Sequence, residues 1–195
     1  MTEFKREDIF SPANAITVAG FALSAYGATH IGELSGVIEA GTGRALDVVD
    51  GFVARRTHAS EFGAKLDASL DKAAVGIIVG EAWHQHAAPE AALSVIAIYN
   101  VINAVSNVYS DHKSGQAKTS IAGKRAMFGQ NLATSLFLLG HSINVPELST
   151  VGWGIFGASV PVAGKATYDY VNHARQVYTK SKATKQPKNH TRQRR

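Results

Sequence analysis

Apolar and charged residues are segregated along this chain into long blocks. Residues 9–32, 91–110, 126–146 and 148–164 contain no Asp, Glu, Lys or Arg, and each block has the length of a helix that crosses a bilayer. Between the first and second blocks lie two more helix-length segments, 34–55 and 62–84, mostly small and apolar but with charges embedded in them. The pattern predicts an all-α integral membrane protein with six transmembrane helices, over 12–32, 34–55, 62–84, 90–110, 125–145 and 149–168. Every second connection is short and free of Lys and Arg. The others hold Arg56 and then Lys113, Lys118 and Lys124, and the two ends of the chain, with Lys5, Arg6 and a basic C-terminal segment, fall on that same side. The positive-inside rule makes it the cytoplasmic side, so both termini are expected there. A soluble bundle of six buried helices would show the apolar blocks but has no need of so regular a charge asymmetry.

Composition changes this picture little. Mean hydropathy is −0.04, which by itself suggests a soluble protein, but the polar residues are concentrated. Residues 175–195 hold eight of the 20 basic residues and none of the 15 acidic ones, so residues 1–174 carry 12 basic against 15 acidic side chains. The basic balance belongs to the tail. With no cysteine, disulfides, thiol nucleophiles and Cys-based metal sites are excluded. Glu3, Glu7 and Asp8 precede an apolar stretch too long for a signal-peptide core, so the first helix is expected to remain. The expected organisation is a short cytoplasmic or interfacial leader over 1–11, a six-helix domain over 12–170 and a basic, disordered cytoplasmic tail over 171–195. The tail has no apolar periodicity. It suits either attraction to anionic lipid headgroups or the anchoring of topology; no aromatic residue follows Tyr178 to stack on bases, and nucleic acid is not expected as a partner.

Ionisable residues inside a span each cost roughly 2.5–3.5 kcal/mol at mid-bilayer, which makes them rare without a function. Helices two and three nevertheless carry Asp47 and Asp50, three apart, and Asp67 and Asp71, four apart, so each pair shares a helix face. Counting about 1.5 Å per residue from Arg55 and Phe62 places Asp50 and Asp67 roughly 7 Å deep, and Asp47 and Asp71 roughly 12–13 Å deep. Four carboxylates are therefore expected to converge. Divalent cations would keep such a cluster ionised, and all-oxygen ligands suit Mg²⁺, Mn²⁺ or Ca²⁺. Gly51, Ala54 and Gly63 flank the carboxylates, and Arg55 stands at the helix end. Singly, each small residue reads as helix packing. Together with the acidic residues and an arginine they suit a pyrophosphate-containing substrate, because cations bridge phosphate oxygens and arginine neutralises developing charge.

The run Asp47, two residues, Asp50-Gly51, two residues, Ala54-Arg55, then Gly63, three residues, Asp67, three residues, Asp71 resembles the signature of the CDP-alcohol phosphotransferases (CDP-alcohol phosphatidyltransferases), integral membrane enzymes of phospholipid synthesis. Seven residues separate Arg55 from Gly63 where that family usually has eight. The stretch 12–23, PANAITVAGFAL, is similar to the family's first span, and Gly123-Lys124 with Gln130 resembles the phosphatidylglycerophosphate synthase branch, which usually has lysine and threonine where Ala126 and Met127 stand here. The likeness covers about 12–168.

The resemblance implies transfer of a phosphatidyl group from a CDP-lipid, CDP-diacylglycerol, to an alcohol, with release of CMP. It implies that Asp47, Asp50, Asp67 and Asp71 hold one or two Mg²⁺ or Mn²⁺ ions, that Asp71 is also the general base, and that Gly51, Ala54, Arg55 and Gly63 line the CDP site. Lys124 and Arg125 become candidates for the phosphate of a polyol-phosphate acceptor, although topology anchoring explains them nearly as well. Glycerol 3-phosphate is the expected acceptor, with inositol phosphate second. A homodimer in the cell membrane, its active site facing the cytoplasm, is also implied. A cation-binding membrane protein or transporter would explain the aspartates but not Gly51, Ala54, Arg55 and Gly63; an inactive scaffold is a third reading. His84 and His86 lie two apart, facing different directions, and in an outer turn across the bilayer from the aspartates, which argues against a second metal site. His58 and His112 fall on the cytoplasmic side, and Trp83 and Trp153 read as interfacial anchors.

Overall fold

A computed structural model of the 195-residue chain describes residues 11–57, 60–114 and 120–185. The leader over 1–10, His58, Lys118 and the tail from 186 onward lie outside the described residues. Six helices follow one another: α1 Pro12–Ala28, α2 Leu34–Arg56, α3 Glu61–His84, α4 Glu90–Ser114, α5 Ile121–Ser142 and α6 Pro146–Lys185. There is no strand among the described residues, so the all-α expectation is met.

Local chemistry sets the helix ends. Ser11 caps α1 by accepting a hydrogen bond from Asn14 N at 3.1 Å, with Pro12 in the first turn. Ser60 caps α3 in the same way through Gly63 N at 3.0 Å. The helices α3 and α5 stop by one shared device. Ala87 N donates to Ala82 O and Val145 N to Gly140 O, both at 2.9 Å, while His86 (φ 51) and Asn144 (φ 56) adopt the left-handed conformation that turns the chain. Pro89 and Pro146 follow shortly after, and the next helix begins.

Two boundaries differ from expectation. The first helix ends at Ala28 rather than at 32: residues 29–33 form a turn closed by local bonds such as Glu33 N to His30 O at 3.0 Å, and Gln85 Nε2 lies 3.1 Å from both Ala28 O and Thr29 O. The last helix does not stop near 168 but runs to Lys185, through a segment assigned to a disordered tail. Continuing an existing helix costs no new nucleation and needs no apolar face, and no proline occurs between Pro161 and Pro187. Absence of amphipathic periodicity was therefore a poor sign of disorder there.

The described residues form two compact units, one drawn from 11–97 and 131–156, the other from 98–130 and 157–185. Within the first, α1 packs along α2 and also against α3. The α1–α2 contact is made backbone to backbone: a Cβ on Gly20 would stand 2.9 Å from Gly43 O, and one on Gly27 would stand 2.7 Å from Gly36 O. Only glycine allows that approach. In the second unit, Thr167 Oγ1 donates to Asn103 Oδ1 at 2.9 Å, and Ser120 N donates to Tyr170 Oη at 3.3 Å.

Among the described residues, Glu90–Ser110 is the one stretch long and apolar enough, by length and composition, to cross a bilayer. α1 is 17 residues long, and α2 and α3 are interrupted by the charged side chains that build the site.

Candidate metal centre

The close seating of α1 on α2 and α3 brings three of the four expected aspartates together. Asp47 and Asp50 from α2 and Asp67 from α3 each offer a carboxylate oxygen, and these oxygens lie within 4.8 Å of one another. The i, i+3 spacing on α2 puts two carboxylates on the face turned to α3, and α3 supplies the third. Asp50 is 2% exposed. The Thr17 hydroxyl of α1 donates to its Oδ2, while its Oδ1 is buried with no hydrogen-bond partner.

Three carboxylates within 4.8 Å, one with a bare buried oxygen, are unfavourable as they stand, because like charges repel and a desolvated acceptor loses its water without a substitute. The donor set is hard oxygen throughout. It fits the divalent cation that the resemblance implies.

Asp71 is not part of this trio. Its Oδ1 is bound by Arg44 Nη2 at 2.5 Å, and the same nitrogen lies 3.9 Å from Asp47 Oδ2. Three of the four expected carboxylates thus offer oxygens within 4.8 Å of one another, and Asp71 borders a small cavity together with Asp47. Spacing alone could not reveal this, since it puts Asp67 and Asp71 on one face. Arg44 itself was passed over, although a cation three residues before Asp47 in the middle of an apolar helix had to find a partner. Thr17 carried no local signal, because it meets Asp50 only through tertiary packing.

The remaining predicted residues divide by what surrounds them. A Cβ on Gly51 would meet only the Arg55 side chain, at 3.5 Å, so no other helix requires glycine there. Gly63 is different: its Cβ would stand 2.7 Å from Asn14 Oδ1, which accounts for it by close approach of α1. Ala54 is half-buried and Arg55 exposed, while the Arg56 guanidinium covers the Phe52 ring at 4.0 Å. In the second unit Lys124 and Arg125 are exposed in the first turn of α5, and Gly123 is spaced for the Tyr170 hydroxyl. His86 Nδ1 lies 2.9 Å from Glu90 Oε1, and Trp153 packs edge-on against Phe137 and Phe156.

Comparison with curated protein sequences finds no match. Among solved structures, the chain is similar to the crystal structure of the Mycobacterium tuberculosis phosphatidylinositol phosphate synthase (PgsA1) with CDP-DAG bound, at 19% identity and a TM-score of 0.49, covering 83% of this chain and 87% of that one. The sequence profile of the CDP-alcohol phosphatidyltransferases matches residues 9–163. That span contains every aspartate of the site and most of the chain, and the protein belongs to the CDP-alcohol phosphatidyltransferase family, an enzyme of that class.

Proposed function

We propose that this enzyme moves the phosphatidyl group of CDP-diacylglycerol to a small polyol phosphate, glycerol 3-phosphate first, and releases CMP. The observation that carries the reading is the Asp47, Asp50 and Asp67 trio with its unpartnered buried oxygen, inside a chain of this family. Bound there, Mg²⁺ or Mn²⁺ supplies positive charge to the diphosphate oxygens. Gly51 leaves the α2 face beside Asp50 open to the CDP group, with Ala54 and Gly63 as its small neighbours and Arg55 exposed at the helix end to meet a phosphate. Asp71 takes the proton of the acceptor hydroxyl as the oxygen bonds to the phosphorus attached to diacylglycerol. The bond from that phosphorus to the CMP oxygen breaks, and CMP departs with the electron pair. Lys124 and Arg125 are assigned to the acceptor's phosphate. The similarity of Gly123, Lys124 and Gln130 to the phosphatidylglycerophosphate synthase branch favours glycerol 3-phosphate over inositol phosphate.

The same reading makes all six helices membrane spans in the cell membrane, with both termini and the active site on the cytoplasmic side and the enzyme a homodimer. Exposed apolar side chains support the membrane setting: Ile98, Val101, Val105 and Val108 line one exposed face of α4. The test is CMP release from CDP-diacylglycerol by the purified chain, with glycerol 3-phosphate, inositol phosphate, serine and a second lipid as acceptors, with and without Mg²⁺. Release only with glycerol 3-phosphate and Mg²⁺ is expected. Release with inositol phosphate alone would replace the acceptor, and none with any acceptor would end the enzymatic assignment.

A further inference from the structure

Asp50 is the most enclosed of the three carboxylates, and its two oxygens differ. Oδ2 accepts the hydroxyl proton of Thr17, while Oδ1 is buried with no hydrogen-bond partner. Thr17 is itself 6% exposed. Its hydroxyl also lies 3.0 Å from Ala13 O, one turn back on α1, as a helical threonine does when it leans on its own backbone. One hydroxyl has one proton, and an ionised carboxylate is the stronger acceptor, so the proton belongs to Asp50. The reach of this side chain is short. It spans the gap because α1 and α2 touch through glycine: Gly20, one turn beyond Thr17, lies against Gly43, two turns before Asp50. Thr17 also borders the small cavity that Asp47 and Asp71 line.

The torsion that turns a carboxylate about its Cβ–Cγ bond is broad and soft, so burial alone leaves open whether a cation meets one oxygen of Asp50 or both. The Thr17 bond decides it, because Oδ2 is occupied and Oδ1 is the oxygen left over. The number of oxygens matters to the ion. Mg²⁺ and Mn²⁺ favour an octahedral shell at short distances, which the narrow bite of a chelating carboxylate strains, whereas Ca²⁺ accepts bidentate carboxylates in a larger and looser shell. We infer that Thr17 is a positioning residue that sets the cation selectivity of the centre: by holding Oδ2 it presents Asp50 through Oδ1 alone, and so favours Mg²⁺ or Mn²⁺ over Ca²⁺. This rests on the cation site proposed above. Thr17 acts through Asp50 and not on the substrate.

The test uses the full chain in detergent, with Mn²⁺ and Ca²⁺ binding each measured on the protein without substrate and Mg²⁺-dependent CMP release measured separately. Thr17→Val keeps the shape of the side chain and removes the hydroxyl. It is expected to weaken Mn²⁺ about tenfold while Ca²⁺ binds as well as before or better, so that the preference for Mn²⁺ over Ca²⁺ falls by that factor or more. The Mg²⁺ concentration for half-maximal CMP release should rise by about the same factor. Thr17→Ser retains the donor and is expected to keep the preference within about threefold of the unsubstituted chain. Thr17→Ala removes the donor with less crowding at Oδ2, and the same loss of preference is expected from it, so the test stands even where the valine variant does not fold. Equal weakening of both ions, an unchanged preference in Thr17→Val and Thr17→Ala, or a loss in Thr17→Ser as large as in Thr17→Val would overturn the role of Thr17 while leaving the reaction intact. An unsubstituted chain that binds neither ion and releases no CMP would overturn both.

Discussion

The helices α2 and α3 carry polar residues toward both of their ends, and the two groups are built on opposite terms. Where α2 begins and α3 stops, Gln85 closes its bonds inside the fold: Oε1 accepts from Gly32 N, and Nε2 faces Ala28 O, Thr29 O and Glu81 Oε2, each at 3.1 Å. His30 Nε2 lies 3.0 Å from Glu39 Oε2 nearby, a charge contact on a buried oxygen that has no hydrogen-bond partner. Toward the α2–α3 connection, by contrast, three carboxylates crowd together and one buried oxygen of Asp50 faces nothing. The two ends differ in what faces the carboxylates: at one end Glu39 meets an imidazole, and at the other three carboxylates lie within 4.8 Å of one another, where like charges repel.

The strongest way to break that distinction is Asp50→Asn. Loss of a ligand charge at the cation site should lower CMP release by about 10⁴-fold, the equivalent of several kcal/mol of transition-state stabilisation. Activity near that of the unsubstituted enzyme would mean that the bare oxygen serves no cation. Next comes Asp71→Asn, for which kcat should fall on the order of 10³-fold while CMP binding persists, as expected for loss of a general base. A rise in KM with kcat preserved would instead make Asp71 a binding residue.

Gly51→Ala sharpens the comparison by setting packing against ligand. The added methyl meets only Arg55 Nη1 at 3.5 Å, and alanine suits a helix better than glycine by about 1 kcal/mol. Thermal stability should therefore hold or rise, yet KM for the CDP-lipid should increase about tenfold if the nucleotide lies against this face. Loss of stability with unchanged KM would return Gly51 to helix packing. The smallest effect on turnover is expected from Gln85→Ala. It should cost about 1–3 kcal/mol of stability through the Gly32 N–H and Thr29 carbonyl left unbound, with kcat/KM of the folded enzyme within about twofold. A large fall in kcat/KM would show that the two ends are coupled.

Much of this was legible before folding. The helices expected over 34–55, 62–84 and 90–110 occur as Leu34–Arg56, Glu61–His84 and Glu90–Ser114, because long apolar blocks bounded by Ser60 or Pro89 leave the backbone few alternatives. The failures share a cause. The turn after Ala28 is met by Gln85, more than fifty residues away, and the length of α6 depends on propagation rather than on an apolar stripe.

For the site, residue type and spacing determined the chemistry by themselves: carboxylates three and four apart must share a face, and hard oxygen donors select a hard cation. What tertiary structure decided is which carboxylates act together. Helical spacing places Asp67 and Asp71 on one face, a turn apart in depth. Asp71 meets Arg44 of the facing helix, and Thr17 on α1, which glycine contacts bring close, reaches Asp50. Such pairings depend on distances between helices, and the periodicity of a single helix does not encode them.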